Sequence, residues 1–258
     1  MIDINIFTGI YPFRNLPSTC GKKLTELLDE IECQRCIATA FPSIFYKDCL
    51  DGLKLTAAQT ESCGKRVFFY AVMNPGFPGC IEDMNEALKL PGVAGIRLFP
   101  RLHHYELMSP QLRPLMAFAA ERDIPVNLAA RLVDDRLNHW MLDIRPPLPL
   151  YEIGAFIKSY RKTKIILSMF YHHEIAELVD DINSSPNVFV DIGVTKPDLF
   201  WYERIVEKID STRLLFGTGA PLYYHGSSLL SLEKANIFSD VKQQILQKNA
   251  ERVFVFGK

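Results

Sequence analysis

The chain has 258 residues, 48% of them hydrophobic and 23% charged, with a formal net charge of −1. That size supports one large core, and single α/β barrels commonly run to about 250 residues. A near-neutral chain with no basic run lacks the electrostatic footprint of a nucleic-acid or acidic-membrane partner, which leaves a small molecule as the expected partner.

The opening Met1-Ile2-Asp3-Ile4-Asn5 carries neither the basic n-region nor the apolar h-region of a signal peptide. No apolar stretch approaches the ~20 residues that span a bilayer. A cytoplasmic protein is expected.

In chain order, eight β-rich runs stand out: Ile2–Phe7, Cys36–Phe41, Val67–Met73, Ala94–Phe99, Val126–Ala130, Lys164–Met169, Asn187–Ile192 and Arg213–Phe216. Each is followed by a stretch with apolar spacing of three and four, as in Leu24, Leu27, Leu28 and Ile31, or Ile175, Leu178, Val179 and Ile182. Runs such as Ile165-Ile166-Leu167 are apolar on both faces, as parallel strands covered by helices must be. No Gly-rich G-x-G-x-x-G turn follows the first strand, which argues against an open dinucleotide-binding sheet. Eight strand–helix units in this length predict an α/β protein, a (β/α)8 TIM barrel forming a single domain over residues 1–258.

Six cysteines, Cys20, Cys33, Cys36, Cys49, Cys63 and Cys80, lie in the first third of the chain. Cys33-Gln34-Arg35-Cys36 has redox or zinc spacing, but it falls where a helix ends and a strand begins, and no second such pair accompanies it. Buried free thiols are the expectation.

Barrel chemistry sits at the C-terminal ends of the strands. All six histidines fall there: His103 and His104 after the fourth strand, His139 after the fifth, His172 and His173 after the sixth, His225 after the eighth.

The strand-end motifs, read in order, resemble those of the amidohydrolase-related family of metal-dependent barrel hydrolases. Ile2-Asp3-Ile4-Asn5-Ile6-Phe7-Thr8-Gly9 resembles that family's opening I-D-x-H-x-H-x-G. Gly95-Ile96-Arg97-Leu98-Phe99-Pro100 resembles G-F-K-L-x-P, and Arg213 to Pro221 resembles R-I-L-F-G-S-D-Y-P. Lys248-Asn249-Ala250-Glu251-Arg252-Val253-Phe254 resembles the closing x-N-A-x-R-L-F. The resemblance implies five metal-ligand positions: two histidines on strand one, one each on strands five and six, and an aspartate on strand eight. Those positions hold Asn5, Phe7, Ala129, Met169 and Gly219. Phe, Ala and Gly offer no donor, neutral Asn is a poor ligand, and a thioether suits softer ions. The expectation is therefore a barrel without the usual metal centre and with no cofactor. A relocated site built from His103, His139, His172 and Asp135 is the alternative.

The string Arg131–Trp140 follows strand five. On a helical turn Asp135 and His139 lie at i and i+4, and Arg136 and His139 at i and i+3. A carboxylate orienting an imidazole prepares a general acid or base near neutral pH. The plain alternative is a solvated loop with a salt bridge. Arginines crowd the strand ends: Arg14, Arg97, Arg101, Arg131 and Arg136. By parity Arg97 and Arg131 face the barrel interior, where a guanidinium needs an anionic partner, either a substrate or Asp3, Asp135 or Asp191. Trp201, Tyr202, Tyr223 and Tyr224 either wall the pocket or pack as ordinary aromatics.

Three functions follow as expectations. The first is a metal-independent hydrolase or lyase of a small anionic substrate, with His139 as acid and base, Asp135 orienting it, and Asn5 polarising a carbonyl. Arg14, Arg97, Arg131, Arg136, His103 and His172 would hold the anion. The second is a silent barrel that binds a metabolite or a protein, and the third a metalloenzyme with relocated ligands. Exposed barrel helices leave homo-oligomerisation open.

Overall fold

The structure is a computed structural model that describes residues 1–17, 19–134 and 146–257. Eight strands run β1 (Ile2–Thr8), β2 (Arg35–Ala40), β3 (Val67–Val72), β4 (Val93–Leu98), β5 (Val126–Ala129), β6 (Ile165–Ser168), β7 (Val188–Asp191) and β8 (Leu214–Leu215). They form one sheet in sequence order, every neighbouring pair parallel. Closure comes from Ile4 N bonding to Phe216 O at 3.1 Å and Gly219 N to Asn5 O at 2.7 Å. The sheet is a parallel barrel, and each boundary falls within two residues of the expected run. Phe41, expected to end β2, instead opens the short helix Phe41–Phe45, because Pro42 suits a helix's first turn and cannot donate to a strand ladder.

Helices cover the outside. Gly21–Glu30 buries Leu24, Leu27 and Leu28, and Leu150–Ser159 buries Ile153, Phe156 and Ile157. Those spacings place one apolar stripe against the outward faces of the strands. The closing helix Asn249–Val253 plugs the N-terminal end of the barrel: Ala250, Val253 and Phe254 pack with Ile2, Ile4, Ile37, Tyr70, Ile166, Phe189 and Leu215. Asn249 secures it by donating to Ser211 O and Leu214 O, both at 2.7 Å, which accounts for the asparagine in the closing motif. Among the described residues no helix is long and apolar enough to cross a membrane.

The barrel interior has three levels. The apolar plug forms the lowest. At the C-terminal mouth Phe7, Phe41, Val72, Phe99, Ala129 and Met169 form a second apolar cluster, joined by Tyr11, Leu132 and Leu222. Between them lies a polar level made of Asn5, Thr39, Arg97, Asn127, Ser168 and Asp191, each no more than 1% exposed. A bulge in β1 helps create it. Three steps along β1, from Asp3 to Ile6, oppose two along β2, from Cys36 to Ala38. Strict alternation would turn Asn5 away from Ile4's side of the strand. With one extra residue, Ile4 packs in the lower plug while Asn5 bonds across the barrel to β6 and β7.

Candidate functional site

Arg97 sits at the centre of the polar level. Its Nη1 donates to Asn5 Oδ1 and to Thr39 Oγ1, both at 2.8 Å. Asn5 Nδ2 in turn donates to Asp191 Oδ2 at 3.0 Å and lies 3.3 Å from Ser168 Oγ and 3.1 Å from Met169 Sδ. Ser168 Oγ donates to Asp191 Oδ2 at 2.6 Å, and Gly193 N donates to Oδ1 at 3.1 Å. The guanidinium carbon lies 5.1 Å from the Phe7 ring centre, 5.2 Å from Phe99 and 5.7 Å from Tyr70.

Burial works against both charges of this chain. It raises the Asp191 carboxyl above its usual range, while Ser168, Gly193, Arg97 and Asn5 pull it back. Burial likewise lowers Arg97 to about 10, opposed by Tyr70 and Asp191. No carboxylate forms an ion pair with Arg97 among the described residues; Asp191 reaches it through Asn5. Glycines let the strand ends close in this tightly. A Cβ on Gly217 would lie 2.3 Å from Asn5 Cβ, and one on Gly193 would lie 1.9 Å from Gly217 O.

Asp3 belongs to the neighbouring wall, not to a catalytic couple. It accepts from Asn5 N at 2.9 Å, Thr218 N at 3.1 Å and Thr218 Oγ1 at 2.6 Å. Burial nevertheless raises it to about 6. A carboxyl raised on folding holds its proton more tightly in the folded state, so stability falls as pH rises from 3.8 towards 6 and then levels off. We expect Asp3→Asn, which keeps Oδ1 as acceptor, to remove on the order of 2–3 kcal/mol of that pH dependence. Urea unfolding at pH 4, 5, 6 and 7 checks this. An unchanged slope between pH 4 and 6 would count against it; Asp191, also raised by burial, contributes a slope of the same sign in both proteins.

The remaining sequence-predicted residues are dispersed. Arg131 lies beyond the end of β5, where strand alternation ceases. Its Nη1 and Nη2 clamp Glu174 Oε2 at 2.8 Å and Oε1 at 2.6 Å, and Nη1 also donates to Met169 O at 2.7 Å. Its charge is thus balanced within the protein. Arg14 is exposed and donates to Leu222 O. His103 Nε2 faces Ile44 O at 2.9 Å, with burial lowering its pKa. His172 Nδ1 faces Lys196 O at 2.7 Å, and its ring lies 5.7 Å from Trp201. His225 faces Glu30 Oε1 at 3.2 Å. Trp201 and Tyr202 are core residues, Tyr223 bonds to Leu132 O at 3.3 Å, and Tyr224 is exposed. Asp135, Arg136 and His139 lie outside the described residues. All six cysteines are free, and burial raises Cys33 to about 12, which leaves its thiol unreactive.

Two groups escaped sequence reasoning. One is the Arg131–Glu174 clamp with its neighbours Tyr171, Lys196 and Asp134. Lys196 Nζ lies 3.1 Å from Tyr171 Oη and pairs with Asp134. Glu174 reads in sequence as an ordinary first-turn acid, and nothing foretells the positive φ of 48° at Lys196. The other is Ser168, whose role appears only once β6 and β7 are set in register.

At the five positions that the sequence resemblance matches to metal ligands, Asn5 is bound as above and Phe7 stacks on Phe41 at 5.2 Å. Ala129 is buried, Met169 has φ 63° and Gly219 has φ 69°. Among the described residues no three His, Cys, Asp or Glu side chains are grouped to hold a metal ion.

An eight-stranded parallel barrel with helices between strands is a (β/α)8 barrel, and solved structures share it across nearly the whole chain. A 2,6-dihydroxybenzoate decarboxylase from Rhizobium aligns with TM-score 0.69 and 14% identity, covering 98% of this chain and 97% of that one. A probable 2-pyrone-4,6-dicarboxylic acid hydrolase from Acinetobacter baumannii, with citric acid bound, gives 0.68 and 13%, covering 98% of each. A dihydroxybenzoic acid decarboxylase from Polaromonas, with bound manganese and the inhibitor 2-nitroresorcinol, gives 0.67 and 15%, covering 98% and 96%. No curated protein matches by sequence. The family model described as Amidohydrolase matches residues 34–256, and the chain belongs to that family.

Proposed function

We propose that this amidohydrolase-family barrel works without the divalent ion that its strand ends are shaped to hold in relatives, as a hydrolase or lyase of a small carboxylated substrate. Arg97 supplies the positive charge for the substrate anion. Asn5, held between Arg97 and Asp191, is the polar group nearest a carbonyl bound over it. His139 is the acid and base, oriented by Asp135, with Arg136 beside them in the sequence.

The observation that carries this reading is the donor set. The five ligand positions supply one neutral amide already committed at both ends, one thioether, and three residues with no donor. That set does not fit zinc or manganese, which need imidazole or carboxylate. Of the alternative set, His103 and His172 each face a backbone carbonyl instead of each other. The aromatic mouth and the buried cation suit a ring carboxylate, the kind of acid for which solved neighbours are named.

A silent binding barrel is the second reading, favoured by the close cover over Arg97: Phe7 and Phe99 lie against it and are at most 1% exposed. Elemental analysis of purified protein, combined with ring carboxylates, lactones and esters assayed in chelator, separates the readings. We expect substoichiometric metal and turnover that resists chelator but is lost in His139→Ala. Stoichiometric zinc or manganese, or turnover that needs added metal, would sink the proposal. Ligand-induced thermal shifts without any turnover would favour the silent barrel.

A further inference from the structure

The polar level has unmet hydrogen bonds on one side only. A guanidinium has three edges, and Arg97 uses Nη1 for Asn5 and Thr39. Its Nε and Nη2, the edge that grips a carboxylate side-on, find no partner among the described residues. The neighbouring positions repeat the pattern. Asn127 is the register partner of Arg97 on β5, and neither its Oδ1 nor its Nδ2 is bonded. Tyr70, on β3, is also without a bond at its hydroxyl. All three residues are 0% exposed.

The three are close together. Val72 is the register partner of Arg97, which places Tyr70 one inward step below it. Gly95 makes room for the phenol: a Cβ there would lie 2.9 Å from the Tyr70 ring. The Asn127 amide, at the margin of a hydrogen bond, and the Arg97 charge both act on the Tyr70 hydroxyl, but no hydrogen bond of normal length joins Tyr70 to either.

Buried polar groups left unpaired destabilise a fold, and a charged one more than a neutral one, so three adjacent residues with unmet bonds call for an occupant. Its chemistry follows from the donors. Arg97 Nε and Nη2, Asn127 Nδ2 and Tyr70 Oη all offer protons, whereas only Asn127 Oδ1 and the phenol oxygen can accept. A water accepts two bonds and carries no charge. An anion accepts them all and balances the guanidinium, whose nearest carboxylate stands behind Asn5.

We propose that Arg97, Asn127 and Tyr70 form a buried site for a small monoanion, either a free ion in the resting protein or the carboxylate of a bound ligand. This deepens the anion-binding role given to Arg97 above, but it concerns occupancy and does not depend on turnover. Tyr70 and Asn127 become the residues that limit the site to a single small anionic group.

The test uses the intact chain. Crystals grown in sodium bromide are expected to show an anomalous bromide peak bonded to Arg97 Nε or Nη2 and Asn127 Nδ2. Crystals grown in benzoate are expected to show either planar carboxylate density in its place or the free ion retained. The first outcome assigns the site to the ligand's carboxylate and the second to a resting ion. Water alone in both crystals overturns the proposal.

In solution, bromide at constant ionic strength is expected to raise the unfolding midpoint saturably by a few degrees, ~2–4 °C in a chain of this size. Asn127→Leu is expected to fold, since Asn127 makes no hydrogen bond of normal length to any described residue, and to lose the bromide response. An equal response in the variant, or none in the wild type, overturns the site. The turnover assay stands or falls separately.

Discussion

Replacing Arg131 with methionine is expected to destabilise the protein by about 3–5 kcal/mol, the usual cost of leaving one member of a buried ion pair alone. The side chains of Arg131 and Glu174 are only 4% and 11% exposed and meet in a two-point clamp at 2.6 and 2.8 Å. Glu174 also accepts from Tyr171 N at 2.7 Å, closing the first turn of the helix His172–Glu177. Methionine preserves much of the hydrophobic stem but strands that carboxylate. It also frees Met169 O, which Arg131 holds at a residue whose φ of 63° is costly for a side chain with a Cβ. The check is urea unfolding of Arg131→Met, Glu174→Gln and the double variant. The double variant is expected to recover most of the loss, because neither member is then a buried lone charge. A single-variant loss below about 1 kcal/mol would show the pair to be no better than a surface bridge.

Phe7→Ala is expected to cost a similar 3–5 kcal/mol, the range for deleting a fully buried aromatic ring. Phe7 is 0% exposed and stacks on Phe41 with an interplanar angle of 13°. It also covers Arg97 at 5.1 Å, an attraction that disappears with the ring. Because the vacated space borders the polar level, water entering it would offset part of the cavity cost. Equilibrium unfolding gives the loss. A value under about 1 kcal/mol would mean that the mouth is loosely packed and that the ring is dispensable there.

Much of this architecture is written in local pattern. Parallel strands buried on both faces leave runs such as Ile165-Ile166-Leu167, and the covering helices leave spacings of three and four, so the barrel can be read from periodicity alone. Arg97 was legible as inward-facing because it lies within β4, where alternation holds. Arg131 looked equivalent, but it lies two residues past β5, and its direction is set by Glu174 on another element. Asn127 showed only its parity, and Tyr70 reads as any strand aromatic. Their joint shortage of partners is a property of three strands brought into register, which no window of sequence contains.

The bulge in β1 has a consequence for how the mouth could change over time. Every residue between it and Gly9 owes its side of the barrel wall to one surplus residue at Ile4 and Asn5. Loss of that residue would exchange inside for outside along the rest of the strand, carrying Phe7 to the helix side and Ile6 towards the axis. Point substitutions can therefore retune this end of the barrel one group at a time, whereas a single-codon deletion would rewrite the whole rim at once.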